Sequence, residues 1–459
     1  MTDDLHARSV ALGPAAAADA PSSSRSHGDP DSSAAAAPPL RVAQWVRIRW
    51  WNACAYYAVS LAEGLARIGH ESWVLAPPGT PAHEEAKKRG LRVPDIGDPG
   101  SSRPDEWLRS GRALRRFLAA ERIDVVNVHS GPGHARFSRW RTGLGFRVVR
   151  TRGDIRPPRT AAVQRWLYRH GTDHHLISAD FLRTPYEDLG VPAERITTLR
   201  GGTDLARADR VERAGARRNV RERLGLAPDQ PLVGMIARLS PVKGHEVLLR
   251  AMAELRVRHP RAHLVCPGGD AQLSREQLQA LADSIGLGPR VHFVGRVEDP
   301  LEWAAALDVA VIASTGSEAI CRSAFEYLAV GVPIVASRIH AVGEVLAGDV
   351  ARLVPPGAVV PLANALADLL ASEDERAALA ARGRAHVEAH YSLERFGAGA
   401  AAVFRTLLAT RSGAEPLAGP GPEPEPGPEP GPGPRPGSAP GPEPGHSGNP
   451  GLPLSAGDE

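Results

Sequence analysis

Cysteine is scarce in this chain: Cys54, Cys266 and Cys321 stand far apart, with neither CxxC nor Cys/His metal spacing around them. That argues against a disulfide framework or a structural zinc and for a reducing compartment. No run of about 18 apolar residues occurs, and Met1-Thr-Asp-Asp lacks the charged segment and apolar stretch of a secretory leader. Neither a membrane span nor a standard export signal is therefore expected. An excess of one charge is also missing, since 55 Lys and Arg against 52 Asp and Glu leave +3, too little to call for nucleic acid. Neither GxxxxGK[ST] nor a helix-opening GxGxxG is found, which removes the main support for an ATPase or a dehydrogenase. The cation-holding triplet DxD occurs as Asp29-Pro30-Asp31, inside an Ala/Ser/Pro-rich arm.

What is present is a globular composition, 42% hydrophobic and 23% charged, in a chain long enough for two cores. Residues 1–39 and 413–459, the latter built of Pro-Glu-Pro-Gly-like units, bury too little apolar surface to order themselves and read as disordered arms. Between them, short β-rich runs alternate with amphipathic helical stretches, the pattern of parallel sheets covered on both faces. A first set runs through 41–46, 72–76, 123–128, 147–151 and 174–178, with helices over 53–68 and 104–120. A second runs through 232–237, 263–266, 291–294, 309–313 and 333–336, with helices near 244–258, 273–285 and 319–330. The fold class is thus α/β, with two Rossmann-like domains and a hinge near 201–230. Ligands of such sheets sit beyond the C-terminal strand ends, so the strand-to-helix loops are where chemistry is expected.

Two loops of the second set carry it. The first, Gly234-Met-Ile-Ala-Arg238-Leu-Ser-Pro-Val-Lys243-Gly, places two cations between a buried strand and a helix start. Helix amides and dipole favour an anion there, and a charge-assisted contact adds about 1.5–3 kcal/mol, so a diphosphate fits. The bland reading is a pair of solvated surface charges. The second loop, Glu318-Ala-Ile-Cys-Arg-Ser-Ala-Phe-Glu326, puts two carboxylates about two turns apart before Gly331-Val-Pro333 leads into an apolar strand. Carboxylates accept from pairs of sugar hydroxyls, which favours a site over a solvated helix face.

With these motifs in order, the chain resembles the GT-B glycosyltransferases of family 4, the group 1 type. The resemblance covers roughly residues 40–412 and also rests on Gly69-His70, on Gly190 to Asp204, and on Ala237-Arg-Leu-Ser-Pro-Val-Lys-Gly. It implies an acceptor domain over 40–205, completed by a returning helix at about 393–412, and a donor domain over 206–392, facing each other across a cleft. It further implies that Arg238 and Lys243 hold the donor diphosphate, Glu326 the ribose, and Glu318 with the backbone of Ala319, Ile320 and Cys321 the sugar. Gly295-Arg296 resembles the base-binding edge, and Gly268-Gly269-Asp270 the glycine turn after the second strand, although tight-loop glycines are equally expected structurally.

On the acceptor side, His129, just past a strand, matches the family's histidine near the reacting carbon, with His134 a second candidate. Each histidine is equally readable as a core residue. Arg47-Ile-Arg-Trp-Trp51-Asn52 departs from the paired glycines of many relatives, so Trp50 or Trp51 is free to stack on an acceptor sugar, with Asn52 and Arg152 as further acceptor-side candidates. Thr151-Arg152-Gly-Asp154 departs from a threonine-histidine pattern. It lies in a run of Arg136, Arg139, Arg141, Arg147, Arg150, Arg152, Arg156, Arg159, Arg165 and Arg169, against which only Asp154 is set. Such a run is either a solvated face or a site for a phosphorylated acceptor or an anionic membrane.

The resemblance implies a retaining transfer to a glycan or glycolipid hydroxyl, as in lipopolysaccharide or other surface polysaccharide synthesis, with no metal and no cofactor beyond the nucleotide-sugar. A cytoplasmic location, or a peripheral one on the inner face of the membrane, is expected. Two rivals remain open: a GT-B sugar-nucleotide epimerase, and a non-enzymatic sugar-nucleotide-binding scaffold.

Overall fold

A computed structural model describes residues 38–316 and 318–410. The arms assigned to 1–39 and 413–459, and the Asp29-Pro30-Asp31 triplet, fall almost wholly or wholly outside the described residues. The chain forms two six-stranded parallel sheets. The first contains β1 (Arg41–Trp45), β2 (Glu71–Leu75), β3 (Val125–Val128), β4 (Arg147–Arg152), β5 (His174–Ile177) and β6 (Ile196–Thr198), in the order β2-β1-β3-β4-β5-β6. The second contains β7 (Leu232–Gly234), β8 (His263–Pro267), β9 (Val291–Gly295), β10 (Val309–Ile312), β11 (Ile334–Ser337) and β12 (Arg352–Val354), in the order β12-β11-β10-β7-β8-β9. Both are doubly wound, the first in the flavodoxin-like order and the second in the Rossmann order. Each winding reverses once, between β1 and β3 and between β7 and β10, and a crevice opens there.

Alternation along the strands explains the layers. Val42, Val125, Val149 and Leu176 face Tyr57, Leu61, Leu65, Phe396 and Phe404, while Ala43, Trp45, Val126 and Val148 face Leu114, Leu118 and Phe137. Each buried Leu or Phe contributes roughly 1.5–3 kcal/mol relative to exposure. The helix Ala53–Arg67 starts at Asn52, whose side chain accepts from Ala55 N at 3.0 Å, and ends before Gly69 at φ +86°. The helix Leu393–Ala409 packs back on it. A Cβ on Gly397 would lie 2.4 Å from the Gly64 carbonyl carbon, so this crossing requires glycine. Thr203 accepts from Leu393 N at 3.2 Å and donates to Tyr391 O at 2.8 Å, pairing the two chain passages that join the sheets.

The expected strands and helices are present with end shifts. The run at 232–237 is a strand only to Gly234, because Met235 and Ala237 go on bonding to β8 alone. Two strands, β6 and β12, were not anticipated. Each is three residues long and lies at a sheet edge, where a partly exposed run leaves little hydrophobic signal.

Candidate functional site

The crevice between β7 and β10 brings together the two loops singled out from the sequence. After β7 the chain passes Arg238, which is exposed, and turns through Pro241–Lys243 to Gly244 at φ +76°. A Cβ at Gly244 would stand 2.0 Å from Ala313 O, so this glycine is what lets the loop lie against β10 before the helix His245–Leu255 begins. Lys243 Nζ meets Glu318 Oε1 at 2.5 Å, and the Ser314 hydroxyl donates to the same oxygen at 2.5 Å. Glu318 is 7% exposed, and its charge is compensated from both sides.

The following residues reach across to the first sheet. Ala319 O accepts from Ser178 Oγ at 2.7 Å, and Ile320 packs with Tyr57 and Leu176. A Cβ on Gly153 would come within 2.7 Å of Ile320 Cδ1, so the backbone of the first half closes directly on this side chain. Cys321, at φ +56°, takes up the left-handed conformation that opens the helix Arg322–Ala329 without a capping side chain. Burial raises its thiol pKa well above the ordinary range. Glu326, also buried, accepts from Arg322 Nε at 2.9 Å, and the Arg322 guanidinium lies 4.3 Å from the centre of the Tyr56 ring. At the far end of the crevice, Gly268 donates to Gly295 O at 2.8 Å and Gly269 accepts from Leu239 N at 2.9 Å, while Arg296 is exposed.

The crevice between β1 and β3 holds His129. Its amide donates to Trp45 O at 3.0 Å, and its Nε2 is 2.8 Å from Gln44 Oε1. Burial, aided by the Arg150 charge, lowers its pKa to about 3, so the ring stays neutral at physiological pH. His134 lies elsewhere, in the core, 2.9 Å from Thr172 Oγ1 and beside Tyr168. Asn52 is occupied as the helix cap. Trp51 is half-buried against Tyr56 and Arg89. Arg152 bonds back to Asp154 O at 3.2 Å.

The arginine run needs one correction: Asp154 is not its sole counter-charge, because Asp173 pairs with Arg141 at 3.1 Å and Arg147 at 3.2 Å. Arg150 is buried and donates to Val128 O. Arg156, Arg159, Arg165 and Arg169 remain exposed, the last two on the short helix Ala162–His170 together with Trp166 (59% exposed) and Val163 (69%).

Arg322, Ser314, Tyr56 and Gln44 were passed over in the sequence. Arg322 stands four residues before Glu326, the helical pairing distance, and Gln44 interrupts an apolar strand; both signals were available.

The model for "Glycosyl transferases group 1" matches residues 216–386, and that for "Glycosyltransferase Family 4" matches 54–207. The GDP-mannose-dependent alpha-(1-6)-phosphatidylinositol monomannoside mannosyltransferase of Mycolicibacterium smegmatis is 32% identical over 342 residues, 71% of this chain and 86% of that protein. D-inositol 3-phosphate glycosyltransferase 2 of Catenulispora acidiphila is 35% identical over 167 residues, 34% of this chain. The match spans only 38% of that relative's length, and 45% of the Rhodococcus jostii D-inositol 3-phosphate glycosyltransferase. In fold, the chain is similar to Anabaena HepE in complex with UDP, at a TM-score of 0.68 and 18% identity, over 80% of this chain and 100% of that one.

Proposed function

The chain belongs to the family 4, group 1 glycosyltransferases of GT-B fold, and from that membership we propose that it transfers a sugar from a nucleoside-diphosphate sugar to a hydroxyl of a glycolipid or glycan. The observation that carries this reading is the pairing of Lys243 with Glu318 at the crevice between β7 and β10, beside a helix start. A cation, a sugar-hydroxyl acceptor and a helix start stand where a doubly wound sheet binds its ligand. On diphosphate binding, Lys243 and Arg238 hold the phosphates, Glu318 turns to the sugar hydroxyls and Glu326 to the ribose.

In this reading the transfer retains configuration and needs no metal. The bond from the anomeric carbon to phosphate breaks, the bond to the acceptor oxygen forms on the same face, and the leaving phosphate takes the acceptor's proton. Stabilising the leaving diphosphate is then the main task, and one positioned donor is commonly worth a factor of about 10² to 10³.

Relatives named for inositol 3-phosphate and for phosphatidylinositol monomannoside support a phosphorylated cyclitol or its lipid as acceptor class. The exposed Arg156, Arg159, Arg165 and Arg169 with Trp166 and Val163 favour a peripheral contact with an anionic membrane, on its cytoplasmic face. Among the described residues, no helix is long and apolar enough to cross a membrane.

Thermal stabilisation by UDP-glucose, GDP-mannose and related donors tests the reading. At about 100 times Kd, a donor adds about 2.7 kcal/mol. Arg238→Ala abolishes that shift, and excess chelator leaves turnover intact; an unchanged shift in the variant sinks the diphosphate assignment. Product analysis separates the rivals: an epimerase converts donor alone, and a scaffold binds it without transfer.

A further inference from the structure

Gln44 is fully buried in β1, at the crevice between β1 and β3, on a strand face it shares with the apolar Val42, Val125 and Val149 and the polar Asn127 and Thr151. Its Oε1 accepts from Asn127 Nδ2 at 3.0 Å and lies 2.8 Å from His129 Nε2. The Thr151 hydroxyl donates to Asn127 Oδ1 at 2.7 Å, which extends this chain of hydrogen bonds to β4. A carbonyl oxygen this close to Nε2 requires the ring proton to be there, leaving a lone pair on Nδ1. Among the described residues Nδ1 has no hydrogen-bond partner. The arrangement also leaves Gln44 Nε2 buried without a partner, a cost that packing alone does not explain.

Building on the nucleotide-sugar reading of the cleft, we propose that Gln44 is a positioning residue: it fixes His129 as the Nε2–H tautomer, so that Nδ1 accepts a hydrogen bond from a hydroxyl of the transferred sugar. The ring must also stay neutral, since an imidazolium has no lone pair to offer. The groups facing it serve this end. Arg150, from β4, opposes protonation, and Tyr57, from the helix Ala53–Arg67, packs its ring 6.1 Å away without adding a negative charge.

The first test needs no ligand. Long-range proton–nitrogen spectra of the full chain labelled with nitrogen-15 histidine, with the His129 signals identified by their loss in His129→Gln, are expected to show Nε2–H from pH 5 to 8. An Nδ1–H tautomer or an imidazolium overturns the proposal. In Gln44→Leu the tautomers mix, and the affinity advantage of UDP-glucose over UDP, or of GDP-mannose over GDP, falls about tenfold while the bare nucleotide binds as before. Gln44→Glu covers the case in which the leucine variant fails to fold. Its carboxylate pulls the ring toward imidazolium, so the sugar's advantage rises with pH in this variant and is flat in the parent. An equal loss for nucleotide and nucleotide-sugar in Gln44→Leu, or a flat pH profile in Gln44→Glu, also overturns it. If none of the four ligands binds, the nucleotide-sugar reading fails, and the ligand-free spectra still decide the tautomer.

Discussion

The two crevices are built in opposite ways. Between β7 and β10, ionic side chains pair off, Lys243 with Glu318 and Arg322 with Glu326; between β1 and β3 the polar groups Gln44, Asn127, Thr151 and His129 are all uncharged under ordinary conditions. A charged crevice of this kind keeps Lys243 and Arg322 neutralised until an anionic ligand displaces the carboxylates. A neutral one holds a shape through hydrogen bonds that neither salt nor moderate pH disturbs. The cleft therefore has one wall that responds to the ligand and one that is set before it arrives.

The largest break in this contrast is expected from Lys243→Ala, which removes a diphosphate contact and leaves Glu318 buried without its cation. Turnover with a bound donor should fall by about 10² to 10³, whereas His129→Ala should cost an order of magnitude less. Equal losses measured as kcat/KM would mean that charge is not what distinguishes the walls.

Acid should act on the first half more than the second. His129 and His175 titrate near 3 in the folded protein, held down mainly by burial, against about 6.5 when unfolded. The unfolded chain therefore binds more protons between those values, so stability is full above about pH 6.5 and is lost as pH falls toward 3. Each such histidine contributes at most about 1.4 kcal/mol per pH unit. Tryptophan fluorescence reports this, since Trp45, Trp51, Trp73 and Trp140 belong to the first half and Trp303 alone to the second. A denaturation midpoint that is flat from pH 7 to 5 would contradict it.

Glu326→Gln should weaken the charge-assisted bonds to Arg322 and lower stability by about 1.5–3 kcal/mol, read from urea melts. The smallest effect is expected from Asn52→Ala. Loss of the helix cap costs about 1 kcal/mol, and donor affinity stays unchanged, because Asn52 serves the helix start.

Much of this could be read in the sequence, for local reasons. Strand-to-helix alternation and the Glu318–Glu326 spacing are written in neighbouring residues, as is the loop from Arg238 to Lys243. The pairing of Lys243 with Glu318 spans 75 positions and depends on β7 lying beside β10, which no local pattern encodes. The asparagine before the first helix is ambiguous from sequence alone, because a cap and a ligand contact call for the same side chain. Asp173 was missed as a counter-charge because it approaches Arg141 and Arg147 only after β4 and β5 pair.

The glycine crossing of Gly64 with Gly397 has a consequence in time. The helix Ala53–Arg67 leaves the ribosome well before the helix Leu393–Ala409, which covers Tyr57 and Leu61. At about 5–20 residues per second, the interval between them is on the order of tens of seconds. For that long the nascent first sheet carries an uncovered apolar face, which makes newborn chains, rather than finished ones, the vulnerable population for aggregation and for chaperone capture.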